Sequence, residues 1–466
     1  MTRVALSMIV RDCEVSLPAC LESVRGLVDE IVVADTGSVD ATPAVARQGG
    51  ARVISIPWEQ DFAKARNLAL AETHADWVLM LDADEQLDPA AARLLPPLLR
   101  EANVAGYLVS IRNYVRSLDE RLGDRPARVN DSGLEAARQY PAYLEHDNVR
   151  LFRRHPEIYF VGRVHETVGS RLLETGGKLG RAGFVIHHFG LAADAETRAA
   201  KNRLYRELGR QKVRDLPEDG QAHFELGLVE FDNFHDYAEA LECFERACQL
   251  NPRLGVAWFF AGLTKVQLGR DAEGLADLKR AEREGQAPPL VAEAQGDAYY
   301  NLRDFDTARR CYRRARERFE GNVALASKLG LVEVRAGNVE AGLKRLRRAL
   351  TQEPKRAELY DRLIVAHVWL GQLDEAAAVV ERKLEVTGPH PDSFLKLASI
   401  RAQQGDWRQA GCALRAGLHY SPDLEKLRLA LAEVQAHESS QASLEPGFLT
   451  KEWEGRGFSP AATGHS

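Results

Sequence analysis

The second half of this sequence repeats itself every 34 residues. From about residue 220 onward apolar residues follow helical spacing only, and one small residue returns six times at that interval. Small side chains let two helices approach closely, and units that cannot bury their apolar faces alone must stack on their neighbours. The period therefore predicts an array of helix pairs. The recurring small residues are Ala240, Gly274, Ala308, Gly342, Ala376 and Ala410.

Two further columns of small residues share this period. Glycine precedes the small position by twelve residues in three units, and alanine follows it by seven residues in four units. A 34-residue period of paired helices is typical of tetratricopeptide repeats. We predict an all-α tetratricopeptide-repeat solenoid of about six units over residues 220–437, with one inserted residue near 232–235 in the first unit. A polar, loose tail is predicted over residues 438–466.

The first 190 residues alternate between short apolar runs and helical patterns. We predict strands at 4–10, 30–34, 52–56 and 77–81, and helices at 17–24, 41–48 and 61–72. Short apolar strands separated by helices indicate parallel β-α-β units. The fold class is therefore α/β for a domain over residues 1–192. Such sheets bind ligands beyond the carboxyl ends of their strands, so polar residues that follow the strands are the candidates for chemistry.

Composition excludes several classes of protein. The 466 residues include 62 basic and 68 acidic side chains, a net charge of −6, which is too small for a polyanion-binding protein or an acidic tail. No apolar run approaches the roughly 20 residues of a membrane-spanning helix, and the N-terminus lacks the layout of a signal peptide. Six cysteines without a C-x-x-C pair are expected to be small buried residues in a reducing compartment. The predicted location is cytoplasmic, with a peripheral position at the inner face of the membrane left open.

Asp82 and Asp84 directly follow the predicted strand 77–81 and are separated by one residue. Two carboxylates at the end of a strand can both face a hard cation such as Mg²⁺ or Mn²⁺. A solvated acidic turn is the alternative for an isolated D-x-D. An EF-hand loop is excluded, because the loop's glycine and glutamate positions are occupied by Leu87 and Arg93. The glycine-rich fingerprints of dinucleotide and triphosphate sites do not occur.

The context of this D-x-D resembles the family 2 glycosyltransferases of the GT-A type, which have a Rossmann-like nucleotide-sugar-binding domain. The resemblance covers roughly residues 3–190, and the repeats that follow match the subgroup fused to tetratricopeptide repeats. It is carried by motifs in the expected order: MIVRDCE at 8–14, LPACLESV at 17–24, DEIVVADTGSVD at 29–40, WEQDFAKARN at 58–67 and DWVLMLDADE at 76–85.

Two of these motifs depart from the family pattern. The usual Lys/Arg-Asn-Glu-Glu after the first strand is here the run 11–14, RDCE, and the usual Gly-Ser-Thr-Asp is the run 37–40, GSVD. The first departure could change contacts with the nucleotide. The second removes one hydroxyl group. Neither touches the D-x-D.

The resemblance implies a role for each matched residue. Asp35 would accept a hydrogen bond from the base of the nucleotide, and Arg66 and Asn67 would line the nucleotide pocket. Asp84 would coordinate a divalent metal ion (Mn²⁺ or Mg²⁺) that bridges the diphosphate, while Asp82, also assigned to the metal site, would face the ribose or a metal-bound water. The same nucleotide-sugar pocket is assigned Val10, Arg11, Glu14 and Ala83.

A catalytic base must also deprotonate the acceptor. A Gly-x-x-His-Glu element recurs in the subgroup, and here it makes Glu166 the candidate base, with His165 beside it. The alternative is that Glu166 only pairs with Arg163 or Arg153. The run 184–188 ends in two histidines and resembles a closing His-rich strand, so His188 is a candidate metal ligand; a purely structural histidine is the alternative.

Residues 193–219 are predicted to form a basic helical connector. A solvated helix is one interpretation, and a surface that meets anionic lipid or a phosphorylated acceptor is the other. Nucleic acid is excluded as a partner because aromatic residues are scarce there. Its basic residues are Arg198, Lys201, Arg203, Arg206, Arg210, Lys212 and Arg214.

The leading hypothesis is a metal-dependent, inverting glycosyltransferase that uses a nucleotide-sugar donor. Inversion follows from the family, since a single displacement with one base needs no covalent intermediate. The acceptor is a glycan, a lipid-linked saccharide or a peptide, and the repeats offer a surface for a protein partner. The alternative is a non-catalytic repeat scaffold that carries a transferase-like nucleotide-sugar-binding domain.

Overall fold

The computed structural model describes residues 2–116, 120–122, 125–164, 166–190, 195–286, 288–318 and 321–439. The chain divides into two compact units, the first ending at Phe234 and the second beginning at His235. The predicted tail from residue 440 and the candidate His165 lie outside the described residues. Among the described residues, no helix is both long and apolar enough to cross a membrane.

The first unit contains a nine-stranded mixed sheet. The bounds of its strands are β1 Val4–Val10, β2 Glu30–Asp35, β3 Arg52–Ser55, β4 Trp77–Met80, β5 Glu85–Leu87, β6 Gly106–Val115, β9 Arg128–Val129, β10 Ala142–Arg153 and β11 Leu179–His188. Two short strands, β7 Arg121–Leu122 and β8 Arg125–Pro126, pair separately with each other. The helices are α1 Leu17–Ser23, α2 Thr42–Gln48, α3 Phe62–Ala71, α4 Ala91–Leu98, α5 Gly169–Glu174, α6 Ala195–Asp215 and α7 Gly220–Val229.

The four strands predicted from the sequence form one parallel block in the order β3-β2-β1-β4. Nearly all residues of β1 and β4 and the last four of β2 are buried because helices cover the sheet, as expected for parallel strands, whereas the edge strand β3 is only partly buried. Helix α3 begins after Asp61, whose side chain accepts a hydrogen bond from the backbone nitrogen of Lys64 at 2.9 Å. The α/β class is confirmed.

The other side of the sheet continues from β4 through β10, β6, β11 and β5. Strand β10 is antiparallel to both β4 and β6, and β11 is parallel to β6 but antiparallel to β5. Strand β5 follows the D-x-D immediately, and its Glu85 pairs in register with His188 of β11. This pairing brings the closing histidines beside the two aspartates.

The remaining described elements are helical. A five-residue π-helical turn, Glu230–Phe234, follows α7 at the position of the inserted residue. A π turn is the usual way for a helix to absorb one extra residue. The helices of the second unit are α8 Tyr237–Leu250, α9 Gly255–Gln267, α10 Asp271–Arg283, α11 Pro288–Asn301, α12 Phe305–Arg318, α13 Val323–Arg335, α14 Val339–Gln352, α15 Ala357–Trp369, α16 Leu373–Thr387, α17 Pro391–Gln403, α18 Trp407–Tyr420 and α19 Glu425–Ser439.

The periodic small residues lie where paired helices touch, which confirms the helix-pair array. The alanines of this column are completely buried. A Cβ atom added to Gly342 would lie 2.6 Å from the carbonyl oxygen of Gly330, and one added to Gly274 would lie 2.7 Å from that of Gly262. The two helices of a unit therefore meet backbone to backbone at these glycines.

Candidate functional site

The carboxyl ends of β1, β2 and β4 lie together at one edge of the sheet. The backbone nitrogen and hydroxyl of Thr36 both donate to the carbonyl oxygen of Val10, at 3.0 and 3.1 Å, which joins the ends of the first two strands. Asp35 is buried beside them. Its carboxylate accepts hydrogen bonds from the backbone nitrogen of Ser38, at 3.2 and 3.3 Å, and from the Ser38 hydroxyl at 2.5 Å.

The two motif departures meet in the loops after these strands. The backbone nitrogen of Asp12 donates to the Ser38 hydroxyl at 3.0 Å, and the Asp12 carboxylate accepts from the backbone nitrogen of Val39 at 2.8 Å. Asp12 has a positive φ of 49°, a conformation that aspartate tolerates better than most residues. The side chain of Val39 is 92% exposed, so only the backbone nitrogen of Val39 takes part in the hydrogen bond to Asp12. The unusual residues thus tie the two loops together.

Two residues assigned to the nucleotide pocket also contact these loops. The Glu14 carboxylate accepts from the backbone nitrogen of Ala41 at 2.8 Å, and the Glu14 nitrogen donates to Asp40 at 3.1 Å. Arg11 is exposed, with its Nε 3.7 Å from the carboxylate of Asp12. Glu14 therefore shapes the loops, whereas the guanidinium of Arg11 is accessible to a ligand.

Arg66 of α3 joins the D-x-D to the candidate base. Its Nη2 lies 2.6 Å from Oδ1 of Asp82, and its Nε lies 2.5 Å from Oε1 of Glu166. Burial would raise the pKa of Asp82, but the charges of Arg66 and Arg150 outweigh burial and hold that pKa far below its usual range. Asp82 is therefore ionised, and the guanidinium fixes Asp82 and Glu166 relative to each other.

A second buried arginine, Arg150 of β10, was not among the residues predicted from the sequence. Its Nη2 lies 2.8 Å from Oε1 of Glu85 and 3.5 Å from Oδ2 of Asp82. The second oxygen of Glu85 accepts from the backbone nitrogen of Asp82 at 2.8 Å. Glu85 is only 1% exposed, and burial raises its pKa to about 7. Arg150 and Glu85 thus form a charged layer beneath Asp82.

Asn67 holds a neighbouring segment of backbone. Its Nδ2 donates to the carbonyl oxygen of Phe160 at 2.9 Å, and its Oδ1 accepts from the nitrogen of Phe160 at 2.7 Å. The nitrogen and the oxygen of the Asn67 side-chain amide are therefore both hydrogen-bonded to the backbone of Phe160. This contact supports the segment that leads to Glu166.

The pairing of Glu166 differs from the alternative considered in the sequence. Arg163 donates instead to Asp215 of α6 at 2.8 Å, and Arg153 donates to two backbone carbonyl oxygens of the segment before β6. The partner of Glu166 is Arg66. The alternative in which Glu166 pairs with Arg163 or Arg153 does not hold, because Arg66 of α3 lies between Glu166 and the D-x-D; the role of Glu166 as the base stays a prediction.

Asp84 contacts His188 at the junction of β5 and β11. Its Oδ2 lies 3.3 Å from Nε2 of His188. Burial would lower the pKa of His188, but the hydrogen bond and negative charge of Asp84 outweigh burial and raise it. His187 faces the other way, with Nδ1 2.8 Å from the Tyr114 hydroxyl and Nε2 3.1 Å from the Asp88 carboxylate. The two histidines therefore have different surroundings, and only His188 contacts the D-x-D.

The donor set of Asp84 and His188 fits a divalent cation. One carboxylate oxygen and one imidazole nitrogen at 3.3 Å match neighbouring ligands of an ion whose bonds are about 2.1 Å long. A Cβ atom at Gly190 would lie 2.3 Å from Oδ2 of Asp84 and 2.5 Å from Nε2 of His188, so only glycine leaves room there. Asp82 turns its oxygens to the two arginines. Its assignment as a metal ligand stays a prediction, as does the place of Ala83 in the pocket.

Buried donors at the same edge are suited to an anionic ligand. Among the described residues, Nη1 of Arg66 and both Nε and Nη1 of Arg150 are buried without a hydrogen-bond partner. Unpaired buried donors are rare and call for an explanation. Phosphate oxygens of a nucleotide are one group that would satisfy them.

The predicted connector contributes a residue to this region. Tyr205 of α6 stacks on Phe62, with ring centroids 6.0 Å apart. Burial, followed by the negative charges of Glu166 and Asp82, raises the pKa of Tyr205 to about 12. Sequence periodicity did not point to Tyr205, because its helix was interpreted as a basic surface helix.

The cations of the connector are largely paired within the first unit. Their partners come from the same helix or from the segment that follows it. The pairs are Arg206 with Glu230 at 2.7 Å, Arg210 with Glu230 at 3.3 Å, Lys212 with Glu225 at 2.7 Å and Arg214 with Glu207 at 2.9 Å.

Comparisons with known proteins find two families in the sequence. The family described as Glycosyl transferase family 2 matches residues 7–158, and the one described as Tetratricopeptide repeat matches residues 189–253, 293–341 and 327–389. A TPR repeat-containing protein of Synechococcus elongatus is 35% identical over 234 residues, which are 49% of this chain and 52% of that protein. The lipopolysaccharide core biosynthesis glycosyltransferase LpsC of Rhizobium meliloti is 30% identical over 192 residues, 39% of this chain and 62% of LpsC.

The chain thus spans 52% and 62% of the lengths of these two relatives. Among solved structures, a tetratricopeptide repeat protein from Parabacteroides merdae aligns with a TM-score of 0.43 at 15% identity. That alignment covers 52% of this chain and 98% of the other.

Proposed function

Since residues 7–158 of this chain match glycosyl transferase family 2 and tetratricopeptide-repeat matches follow them, we propose that the chain transfers a sugar from a nucleoside-diphosphate donor to an acceptor. The transfer is metal-dependent and proceeds with inversion. The observation that carries this proposal is the pair of Asp84 and His188, 3.3 Å apart, beside the Asp82–Arg66–Glu166 chain.

The donor binds at the carboxyl ends of the parallel strands. Asp35 accepts a hydrogen bond from the base, while Arg66, Asn67 and Arg11 line the nucleotide pocket. Arg66 is the strongest candidate for a phosphate contact, because its buried Nη1 has no partner among the described residues. The remaining pocket positions are Val10, Glu14, Asp82 and Ala83.

Asp84 and His188 would hold the divalent metal ion. When bound, Mn²⁺ or Mg²⁺ supplies Lewis-acid neutralisation of the charge that develops on the diphosphate leaving group. The chain's own residues supply the rest. Glu166 accepts the proton of the acceptor hydroxyl, and Arg66 orients Glu166 through the 2.5 Å contact. One displacement on the face opposite the leaving group inverts the configuration of the sugar.

The acceptor is proposed to be a saccharide. The relative LpsC is named for lipopolysaccharide core biosynthesis, which favours a lipid-linked or core saccharide over a peptide. The repeats suit a protein partner, since stacked helix pairs create extended concave surfaces. The donor nucleotide is a UDP- or GDP-sugar.

The test is metal-dependent turnover of a panel of UDP- and GDP-sugars. We expect one donor to be hydrolysed or transferred in the presence of Mn²⁺, and Asp84→Asn to lower kcat by roughly 10²-fold or more, the scale of losing electrostatic stabilisation of a developing charge. Glu135→Gln, a change at an exposed carboxylate of the same unit, is the control and should leave kcat unchanged. If no donor is bound or turned over and Asp84→Asn has no effect in cells, the chain is a non-catalytic scaffold instead.

A further inference from the structure

Asn113 lies in the middle of a hydrogen-bond chain that ends at the Asp84–His188 pair. It belongs to β6 and is in register with His188 of β11 on one side and Leu144 of β10 on the other. Its amide can therefore reach both neighbouring strands. Sequence analysis did not single out Asn113, since β6 was not predicted.

The orientation of the Asn113 amide follows from its partners. A backbone carbonyl oxygen can only accept a hydrogen bond, so the amide nitrogen must face the carbonyl of Leu144, which lies 3.2 Å away. The same nitrogen lies 2.9 Å from Nδ1 of His146 and donates its second proton there. The amide oxygen consequently faces His188, 2.6 Å from its Nδ1.

This orientation fixes the tautomer of His188. An amide oxygen can only accept, so Nδ1 of His188 must carry a proton. In the neutral ring the lone pair is then on Nε2, which faces Oδ2 of Asp84 at 3.3 Å. Without a metal ion, a proton on Nε2 can bridge these two groups, and a bound divalent cation takes the place of that proton.

His187 provides the contrast on the same strand. Its Nδ1 contacts the Tyr114 hydroxyl and its Nε2 contacts the Asp88 carboxylate, so both ring nitrogens are engaged. Neighbouring residues of a strand point to opposite faces of the sheet, which separates the two rings. Only His188 presents a lone pair to a carboxylate of the D-x-D.

We propose that Asn113 is a positioning residue that selects the Nδ1–H tautomer of His188, so that Nε2 and the Asp84 carboxylate together bind the divalent cation. The proposal rests on the metal dependence of the proposed function. Outer hydrogen-bond partners of this kind set both the tautomer and the ring orientation of a ligating histidine. Asn113 does not touch the cation itself.

The experiment uses the full chain with three substitutions. Asn113→Leu removes the acceptor at similar volume, and Asn113→Asp keeps an acceptor toward Nδ1 of His188. Asn148→Leu is the matched control, because Asn148 lies on the adjacent strand and its side chain accepts only a local bond from Val149 among the hydrogen bonds found in the described residues. Circular dichroism establishes that each variant is folded.

Two readouts are independent of activity. Mn²⁺ affinity is measured by the electron paramagnetic resonance signal of free Mn²⁺, and the tautomer of His188 by ¹⁵N shifts of selectively labelled histidines in the metal-free protein, above the titration range of the ring. His188→Gln assigns the signal. We expect Asn113→Leu to weaken Mn²⁺ binding roughly 10- to 100-fold and to convert His188 to the Nε2–H tautomer, which donates to Asp84.

Asn113→Asp should keep the tautomer and bind Mn²⁺ within a few-fold of wild type, and Asn148→Leu should change neither readout. A wild-type His188 in the Nε2–H form overturns the role of Asn113 without any variant. So does a folded Asn113→Leu protein that keeps both tautomer and affinity while wild type binds Mn²⁺. A wild-type protein that binds no Mn²⁺ overturns the metal-dependent function, and this role toward the cation with it.

Discussion

The sheet edge and the repeats are each stabilised by ion pairs, but the paired residues differ in how far apart they lie in the sequence. At the sheet edge, Arg66 joins Asp82 and Glu166, which lie 16 and 100 residues away in sequence. In the repeats, the ion pairs of the described residues lie within one unit or link neighbouring units, as do Lys265 and Asp277, 12 residues apart at 2.6 Å, and Asp361 and Lys396, 35 residues apart. Local contacts recur with the period and can be found in the sequence. The long-range contacts of the site occur once and leave no such trace.

The repeats also carry ion pairs of opposite polarity at equivalent positions. The sheet edge has no equivalent position at which its charges could be compared in this way. Two periods after Lys265 and Asp277, the same positions carry Glu333 and Arg345, 2.9 Å apart, with the charges reversed. The intervening unit has the uncharged Tyr299 and Cys311 there. What the array requires at these positions is complementarity, not a particular residue. Around Asp82, by contrast, each charge is shared by several partners.

The largest effect that separates the two regions is expected at Arg150. Replacing it by methionine, Arg150→Met, leaves Glu85 buried without its cation, while the partly exposed Asp82 keeps its pair with Arg66. Removing one partner of a buried ion pair typically costs about 3–5 kcal/mol. The measurement is the free energy of unfolding from urea titration, followed by circular dichroism.

A matched surface variant defines the baseline for this change. Arg128 pairs with Glu145 at 3.3 Å but is 65% exposed, and Arg128→Met should cost about 0.5 kcal/mol or less. Adding Glu85→Gln to Arg150→Met should restore part of the stability, because the uncompensated charge is gone. If Arg150→Met is no more costly than Arg128→Met, the charged layer contributes no stability.

The sequence predicted those parts of the fold that depend on local pattern. The four parallel strands and three helices, and the helix pairs of the repeats, agree with the structure within a few residues. Asp35, Asp84 and His188 were singled out because they follow strands or close one, and the structure places Asp84 beside His188. Arg150 and Asn113 were missed because β6 and β10 show weak periodicity in sequence, and their pairing connects residues some 30 or more positions apart. Tyr205 was missed because its helix was interpreted as a connector.

A smaller effect, in the repeats, is expected at Gly342. The change Gly342→Ala places a methyl group 2.6 Å from the carbonyl oxygen of Gly330 and 2.8 Å from the backbone nitrogen of Val334. Backbone atoms cannot move aside as a flexible side chain can, so the two helices must separate at a cost of about 1–3 kcal/mol. Thermal unfolding followed by far-ultraviolet circular dichroism measures it.

Gly411 gives the control within the same array. Its added Cβ would meet only the tip of the Arg415 side chain at 3.2–3.3 Å and a methyl group of Val434 at 3.5 Å. Gly411→Ala should therefore be neutral or stabilise the helix by up to about 1 kcal/mol. Equal effects of the two substitutions would show that close contact between the paired helices is not the reason why a small residue recurs every 34 residues.

The smallest expected effect concerns pH and Asp361, where the repeats share one carboxylate between two cations. Its oxygens lie 2.9 Å from the Lys383 ammonium and 2.6 Å from that of Lys396. Burial would raise the pKa of Asp361, but the two lysines outweigh burial and lower it. A carboxyl group with a lowered folded pKa stabilises the fold above its unfolded pKa of about 4 and loses that contribution as pH falls further.

Asp361→Asn should accordingly reduce the free energy of unfolding by about 1 kcal/mol at neutral pH, the upper range for partly exposed pairs. The difference from wild type should shrink as the pH falls from about 4 through the lowered pKa of folded Asp361, below which the group is protonated in the folded protein as well. Urea titrations across that pH range measure the difference. Asp423→Asn, at an almost fully exposed carboxylate of the same array, should show neither the loss nor the pH dependence. If the free energies of unfolding of wild type and Asp361→Asn differ by the same amount at all pH values, the charge of Asp361 does not contribute to stability. The substitution would then act through packing alone.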